Sequence, residues 1–439
     1  MVTREEKHST RGRARLLFEM LQGDAIDDGW RSEAVEEALD LCLACKGCKG
    51  DCPVDVDMAT YKAEFLSHYY ERHLRPRHAY AMGLIHWWAR LAAHAPGLAN
   101  AVTRTPALAR LAKAFAGLAP ERPLPAFAPQ TFQAWFARRG PRNEDGPRVV
   151  LFPDTFTNHF KAGTAKAAVE VLEGLGYHVV VPRRKLCCGR PLYEFGWIEL
   201  ARRLWTDMIG ALHDEIRAGT PIVGLEPSCV SAFRDELPNL FPHDEDARRL
   251  HKSVLTLGEF VAREDVRLPP LDRKVLVHGH CHHKSIMGLQ PDTDGLGKMG
   301  VDFELIEDTC CGLAGAFGFV PEHYDVSMAC GEHHRLPAVR AADPETIVLT
   351  DGFSCREQIA HGAIAVVVAV GPGEGDDADL HDWSSVRGST LTPPAPRPDS
   401  PRSPDSPATD DTWCRPTRAR RPPTPPAGTA SPHARRGRL

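Results

Sequence analysis

The chain has no run of about 18 uncharged apolar residues, which leaves no candidate membrane-spanning segment. No apolar stretch follows Met1; residues 1–15 are charged, and no secretory signal is expected from that pattern. There is no excess of positive charge. Lys and Arg number 53 against 58 Asp and Glu, for a net charge of −5, so no general field exists to hold nucleic acid. Aromatic residues are few, at 7%. Lysine is missing altogether from 371–439. With no signal, the 13 cysteines do not read as a disulfide framework. In a reducing cytosol, clustered cysteines hold metal or do redox work.

What is present is globular usage, with 42% hydrophobic and 25% charged residues over 439 positions. That length accommodates several domains of about 100–200 residues each. Residues 1–119 read as helix. Leu16, Leu17, Met20 and Leu21 recur at helical spacing and Gly23 is a stop; 32–43 and 58–70 are further helices. Between 82 and 118 an apolar pattern carrying Trp87 and Trp88 is broken by Pro96 and Pro106 into two or three short helices. Their wide apolar face serves either core packing or a partner. Residues 120–145 read as a linker rich in Pro and Arg.

From 146 the pattern becomes β-α alternation. Strands are expected at 148–152 (RVVLF), 177–181 (YHVVV) and 221–225 (PIVGL), then at 274–278 (KVLVH), 302–306 (DFELI) and 346–350 (TIVLT). Helices are expected at 164–175 and 197–217. Short apolar strands between helices predict parallel sheets covered on both faces. The landmarks repeat: Cys187-Cys188-Gly189 recurs as Cys310-Cys311-Gly312, and Cys229 recurs as Cys355. This spacing predicts two tandem α/β modules, over 146–265 and 266–370. Residues 371–439 hold 14 of the 37 prolines, and from Thr412 onward there are seven arginines and no acid. Such a segment is expected to be disordered. Its abrupt onset also fits a shifted reading frame.

The strongest motif is Cys42-x₂-Cys45-x₂-Cys48-x₃-Cys52-Pro53, the spacing of a bacterial ferredoxin run for a 4Fe-4S cluster. Gly47 and Gly50 are expected to let the loop wrap closely. A structural zinc site is the competing reading, but zinc knuckles usually space their cysteine pairs more widely. Cys281, Cys310, Cys311 and Cys355 make a second four-thiolate set. In the first module the counterpart of Cys281 is Thr155, leaving Cys187, Cys188 and Cys229. That half is either degenerate or an incomplete, oxygen-ligated site. His278, His280, His282 and His283 crowd Cys281 as ligands, proton relays or polar loop residues. His333 and His334 read as exposed helix residues, Cys330 as a buried free thiol, and Cys414 has no evident role. The glycines of CCGLAGAFG match a dinucleotide loop only weakly.

The ferredoxin run followed by two Cys-Cys-Gly elements resembles the cysteine-rich proteins related to heterodisulfide reductase. It is similar as well to the iron–sulfur subunits of glycolate, lactate and glycerol-3-phosphate dehydrogenases. Residues 2–21, VTREEKHSTRGRARLLFEML, resemble the C-terminal half of fusion proteins that begin with an FAD-linked D-2-hydroxyacid dehydrogenase. The resemblance covers residues 1 to about 360. It implies an α+β multidomain protein: an α-helical ferredoxin-type domain followed by two Cys-Cys-Gly modules. It also implies electron transfer from FAD, on a partner domain or subunit, to a quinone or other acceptor. The chain alone is expected to lack dehydrogenase activity. The flavin domain and a first ferredoxin run are absent, so Met1 is expected to be a poor starting point, with Cys52 aimed at a cluster whose other ligands precede it. The Cys-x₂-Cys that closes each module is reduced to Cys229-Val-Ser-Ala232 and Cys355-Arg-Glu-Gln358. Rival readings are a thiol–disulfide oxidoreductase and a zinc-stapled adaptor. The expected location is cytoplasmic, with or without peripheral attachment to the inner membrane.

Overall fold

The computed structural model describes residues 2–264, 268, 270–306 and 310–363. The segment 371–439, expected to be disordered, lies outside them. Among the described residues no helix is long and apolar enough to cross a membrane.

The N-terminal helices follow their caps. Helix α1 (Thr10–Gln22) starts where Ser9 accepts the Gly12 N–H and ends at Gly23, φ 79°. Helix α2 (Glu33–Asp40) is capped by Ser32 and stops before the cysteine run, short of the expected residue 43. A short α3 (Gly47–Asp51) lies inside that run. Helix α4 (Met58–Tyr69) is capped by Asp57. Met20, Val35, Leu39, Met58 and Phe65 form their common core. The stretch from 82 to 118 resolves into α5 (Ile85–Ala92), α6 (Pro96–Arg104) and α7 (Pro106–Ala116). Pro96 and Pro106 each open a helix, where a missing N–H costs nothing.

The expected linker is part of the packed body. Helix α8 (Phe132–Arg139) buries Phe132 and Phe136 in the first module's core beside Val149 and Leu172. Arg122 is buried against the second module, donating to Gly318 O, Gln358 Oε1 and Ser327 Oγ at 2.6–2.9 Å. The flanking prolines obscured a short helical pattern of three aromatics, Phe132, Trp135 and Phe136. Phe132→Ala is expected to cost about 3–5 kcal/mol, read by denaturant unfolding, whereas a true linker residue costs almost nothing.

The first sheet holds β1 (Arg148–Leu151), β2 (His178–Val180), β3 (Ile222–Gly224) and β4 (Val254–Thr256) in the order β2-β1-β3-β4, all parallel. Strand β4 was not expected; three residues between two helices are too short to show a period. Among the connecting helices, α9 (Thr155–His159) and α10 (Ala162–Gly174) join β1 to β2. Helices α11 (Arg190–Glu194) and α12 (Ile198–Ala218) join β2 to β3. Then come α13 (Pro227–Arg234), α14 (Glu236–Leu240) and α15 (Glu245–Ser253), with α16 (Leu257–Arg263) after β4. Trp205 of α12, fully buried, anchors the larger core with Phe152 and Phe233.

The second sheet has β5 (Lys274–His278), α17 (Gln290–Lys298), β6 (Asp302–Leu305), α18 (Tyr324–Glu332), α19 (Arg335–Ala341), β7 (Ile347–Thr350) and α20 (Phe353–Gly362). Its order is β6-β5-β7, again parallel. In both sheets the first strand lies between the second and third. In both, the cysteine pair follows the second strand and a further cysteine opens the helix after the third. The strand ends carrying cysteines are thereby brought to corresponding edges.

Candidate functional site

The N-terminal cysteine loop turns at residues other than its glycines. Ala44 (φ 49°) and Lys46 (φ 64°) occupy the left-handed region, whereas Gly47 and Gly50 lie in α3. The expected glycine role is therefore corrected: the turn is complete before α3 begins. Each left-handed side chain costs about 1–2 kcal/mol, which the surroundings must offset. Cys42, Cys45 and Cys48 are half-buried, and all three act electrostatically on the buried guanidinium of Arg13. Burial lowers the Arg13 pKa and the thiols work against that; its Nε donates to Ala38 O at 2.6 Å. Cys52, also half-buried, closes α3 with its N–H on Cys48 O at 3.0 Å.

Lys46 is what holds the loop. Its ammonium, with no exposed side-chain surface, meets Asp57 at 2.6 Å, Asp235 at 2.9 Å and Glu236 at 3.0 Å. Burial lowers its pKa, but the three carboxylates outweigh burial and hold it above the ordinary value. Glu236 is shared with Arg190 at 2.7 Å, the residue after Cys187-Cys188-Gly189. The N-terminal cysteine loop is thus docked on the first module through charge. Sequence reading missed Lys46, Arg190 and Arg13. The one available signal was a lysine opening two of the three spacers of the cysteine run.

In the first module, Cys187, Cys188 and Cys229 are all buried. Cys229 Sγ donates to Cys188 Sγ at 2.9 Å. Gly189 (φ 72°) packs on Trp205, where a Cβ would lie 2.9 Å from the indole nitrogen. That nitrogen donates to Cys188 O. The adjacent thiols of Cys187 and Cys188 are hydrogen-bonded to each other, yet they line different spaces. Cys188 lines a cavity shared with the second module, while Cys187 lines a separate pocket with His86 and Trp87. His86 hydrogen-bonds Cys187 and lies 3.4 Å from Thr155 Oγ1. His86, a residue that sequence reading also missed, thus links Thr155 to the Cys187 thiol.

In the second module, the Cys281 and Cys310 thiols are hydrogen-bonded. That bond brings Cys310 down to about 6, aided by the Gly312 N–H at 3.4 Å, and pushes Cys281 well up. Cys311 and Cys355 share an apolar cluster with Leu118, Leu313 and Phe319. Cys229 and Cys355 each sit in the first turn of a helix, α13 and α20, whose positive end favours thiolate. Gly312 (φ 82°) leaves no room for a side chain, since a Cβ would sit 2.0 Å from Ser327 O. Cys330, expected to be fully buried, is half-buried on α18, within electrostatic reach of Cys310. Cys414 lies outside the described residues.

The two modules and the N-terminal loop meet at a cavity of about 580 Å³ lined by Cys45, Cys188, Cys281, Cys310 and Cys311. Glu194 and Glu226 line it too, and burial pushes their carboxyls up to about 7 and about 8. The histidines near Cys281 are tied to neighbours. His282 Nε2 contacts Ala44 O at 2.9 Å, His278 contacts Arg335, and His283 contacts Asp351 and lies 3.2 Å from Asp292. His280, buried, is pushed down to about 4 and is neutral at pH 7. His333 and His334 are exposed, as expected, but they lie in the turn between α18 and α19 and not on the expected helix.

These residues fit an iron–sulfur group. Burial pushes Cys45, Cys229 and Cys355 up to about 12, where a thiol is inert and uncharged. Buried thiols gathered in this state become thiolates when a cationic metal centre joins them. Among the described residues no three His, Cys, Asp or Glu side chains already close around a single metal ion.

The cysteine-rich domain family, named for its Cys-Cys-Gly element, matches residues 153–234. D-2-hydroxyglutarate dehydrogenase of Pantoea ananatis is 26% identical over 352 residues, covering 75% of this chain and 33% of that protein. One subunit of the anaerobic glycerol-3-phosphate dehydrogenase of Escherichia coli is 27% identical over 248 residues, 54% of this chain and 61% of that subunit. The chain spans about a third of the length of the D-2-hydroxyglutarate dehydrogenases it matches. Lactate utilization protein A of Bacillus velezensis is 30% identical over 213 residues, 45% of this chain and 87% of that protein. With so much of that protein reproduced here, the chain belongs to the lactate utilization protein A family.

Proposed function

We propose that the chain is the iron–sulfur electron-transfer unit of an FAD-linked 2-hydroxyacid dehydrogenase. FAD belongs to a partner domain or subunit, and a quinone or other acceptor lies downstream. The observation that carries this reading is the position of Cys45. It belongs to the N-terminal run, yet it lines the same cavity as Cys281 and Cys310 and feels the charge of Cys310. Two cysteine sets are thereby juxtaposed within one apolar enclosure.

Bound 4Fe-4S clusters supply one-electron redox chemistry. Cys42, Cys45 and Cys48 would hold the first, with Cys52 directed to a neighbouring set. Cys281, Cys310, Cys311 and Cys355 would hold the second. Cys187, Cys188 and Cys229 form a three-thiol set completed by no fourth cysteine. The rest of the site balances charge and keeps water out. Arg13, Lys46, Arg190 and Arg335 place fixed positive charge around the thiolates, and Leu118, Leu313 and Phe319 wall them from solvent.

A second reading has one observation in its favour. Cys310, held near 6, would be an attacking thiolate in thiol–disulfide exchange. The lost Cys-x₂-Cys closures count against it. Anaerobic purification separates these readings. The electron-transfer account expects brown protein carrying iron and sulfide; colourless protein with reactive Cys310 supports exchange, and colourless zinc-loaded protein supports the adaptor.

A further inference from the structure

Helices α5, α6 and α7 present an apolar face that no described part of the chain covers. Trp88, Leu91, Val102 and Leu108 are exposed on it, and Leu98, Leu111 and Phe115 are 69%, 70% and 82% exposed. Helix α6 buries no side chain, and α7 buries only Ala109 and Lys113. The pair is nonetheless fixed in place. Asn100 of α6 exchanges two hydrogen bonds with the Phe127 backbone, at 2.8 and 2.9 Å.

Charge along these three helices is one-sided. No Asp or Glu occurs between Glu71 and Glu121, in a chain whose net charge is −5. Arg90, Arg104 and Arg110 are exposed on the same three helices. The patch also runs into the mouth of the cysteine-lined cavity, since Trp88 and Phe115 belong to both.

The geometry points to α5–α7 as a surface that lies in the interface of an anionic bilayer. The leucines and aromatics enter the acyl boundary and the arginines meet the headgroups. A protein partner would have to supply an apolar patch and an acidic rim together; an anionic bilayer has both by composition. Docked this way, the cavity mouth opens at the lipid, where an apolar acceptor of the kind proposed above is dissolved. The docking itself does not rest on the cluster assignment, and its test reads no redox chemistry.

The test is flotation of the full chain with vesicles of phosphatidylcholine, alone or mixed with phosphatidylglycerol. Binding is expected on mixed vesicles and at least about tenfold weaker on neutral ones. Leu98→Ser with Leu111→Ser is expected to weaken it about tenfold or more, with helicity unchanged by circular dichroism. Arg104→Gln with Arg110→Gln is expected to weaken binding to mixed vesicles only. Absence of flotation, or flotation indifferent to both variants, overturns the inference. So does a dimer in solution that Leu98→Ser with Leu111→Ser dissolves without any flotation, which would make a second copy the occupant.

Discussion

Cys310→Ser is expected to abolish the signal of the second redox centre, while Cys187→Ser leaves most of it. Cys310 is half-buried between Cys281, which hydrogen-bonds it, and the Gly312 N–H. It lines the central cavity with Cys45 and Cys281. Serine there removes a thiolate from a set of four and leaves a neutral hydroxyl that binds iron poorly. Cys187 lines a separate pocket with His86 and not the central cavity, in a half where threonine stands in the fourth place. Cys188 turns to the shared cavity and is expected to give an intermediate loss. The comparison is made by iron content and by EPR of the reduced variants. Equal loss from Cys310→Ser and Cys187→Ser would show that the modules are equivalent.

Lys46→Met is expected to destabilise the protein by about 3–5 kcal/mol, because it leaves buried carboxylates without their cation. Asp57, Asp235 and Glu236 lie 2.6–3.0 Å from the ammonium and have little exposure of their own. Arg190 and Lys49 remain as partners for Glu236 and Asp235, so the network is weakened rather than emptied. Adding Asp57→Asn to Lys46→Met should recover part of the loss, since the amide oxygen of asparagine can still accept the Thr60 N–H. Urea unfolding measures the cost, and limited proteolysis between residues 43 and 57 reports whether the loop has come free. A cost below about 1 kcal/mol would mean that packing and not charge seats the loop.

Much of this architecture was readable from local chemistry. Short apolar strands such as 274–278 declared a buried parallel sheet, and Pro96 and Pro106 marked helix starts within a continuous apolar pattern. What stayed hidden depends on distant partners. The Lys46 network joins residues nearly 200 positions apart, and nothing in Lys46 itself names Glu236. Arg122 looked like part of a linker because its acceptors belong to the second module. Ala44 and Lys46 were overlooked at the turn because glycine was the expected occupant of positive φ.

The most direct test of the account is the iron and acid-labile sulfide content of anaerobically purified chain, with EPR recorded before and after reduction. The account predicts equal iron and sulfide, and paramagnetic centres that appear on reduction and disappear on reoxidation. Stoichiometric zinc without sulfide, in a protein silent to EPR in both states, would contradict it.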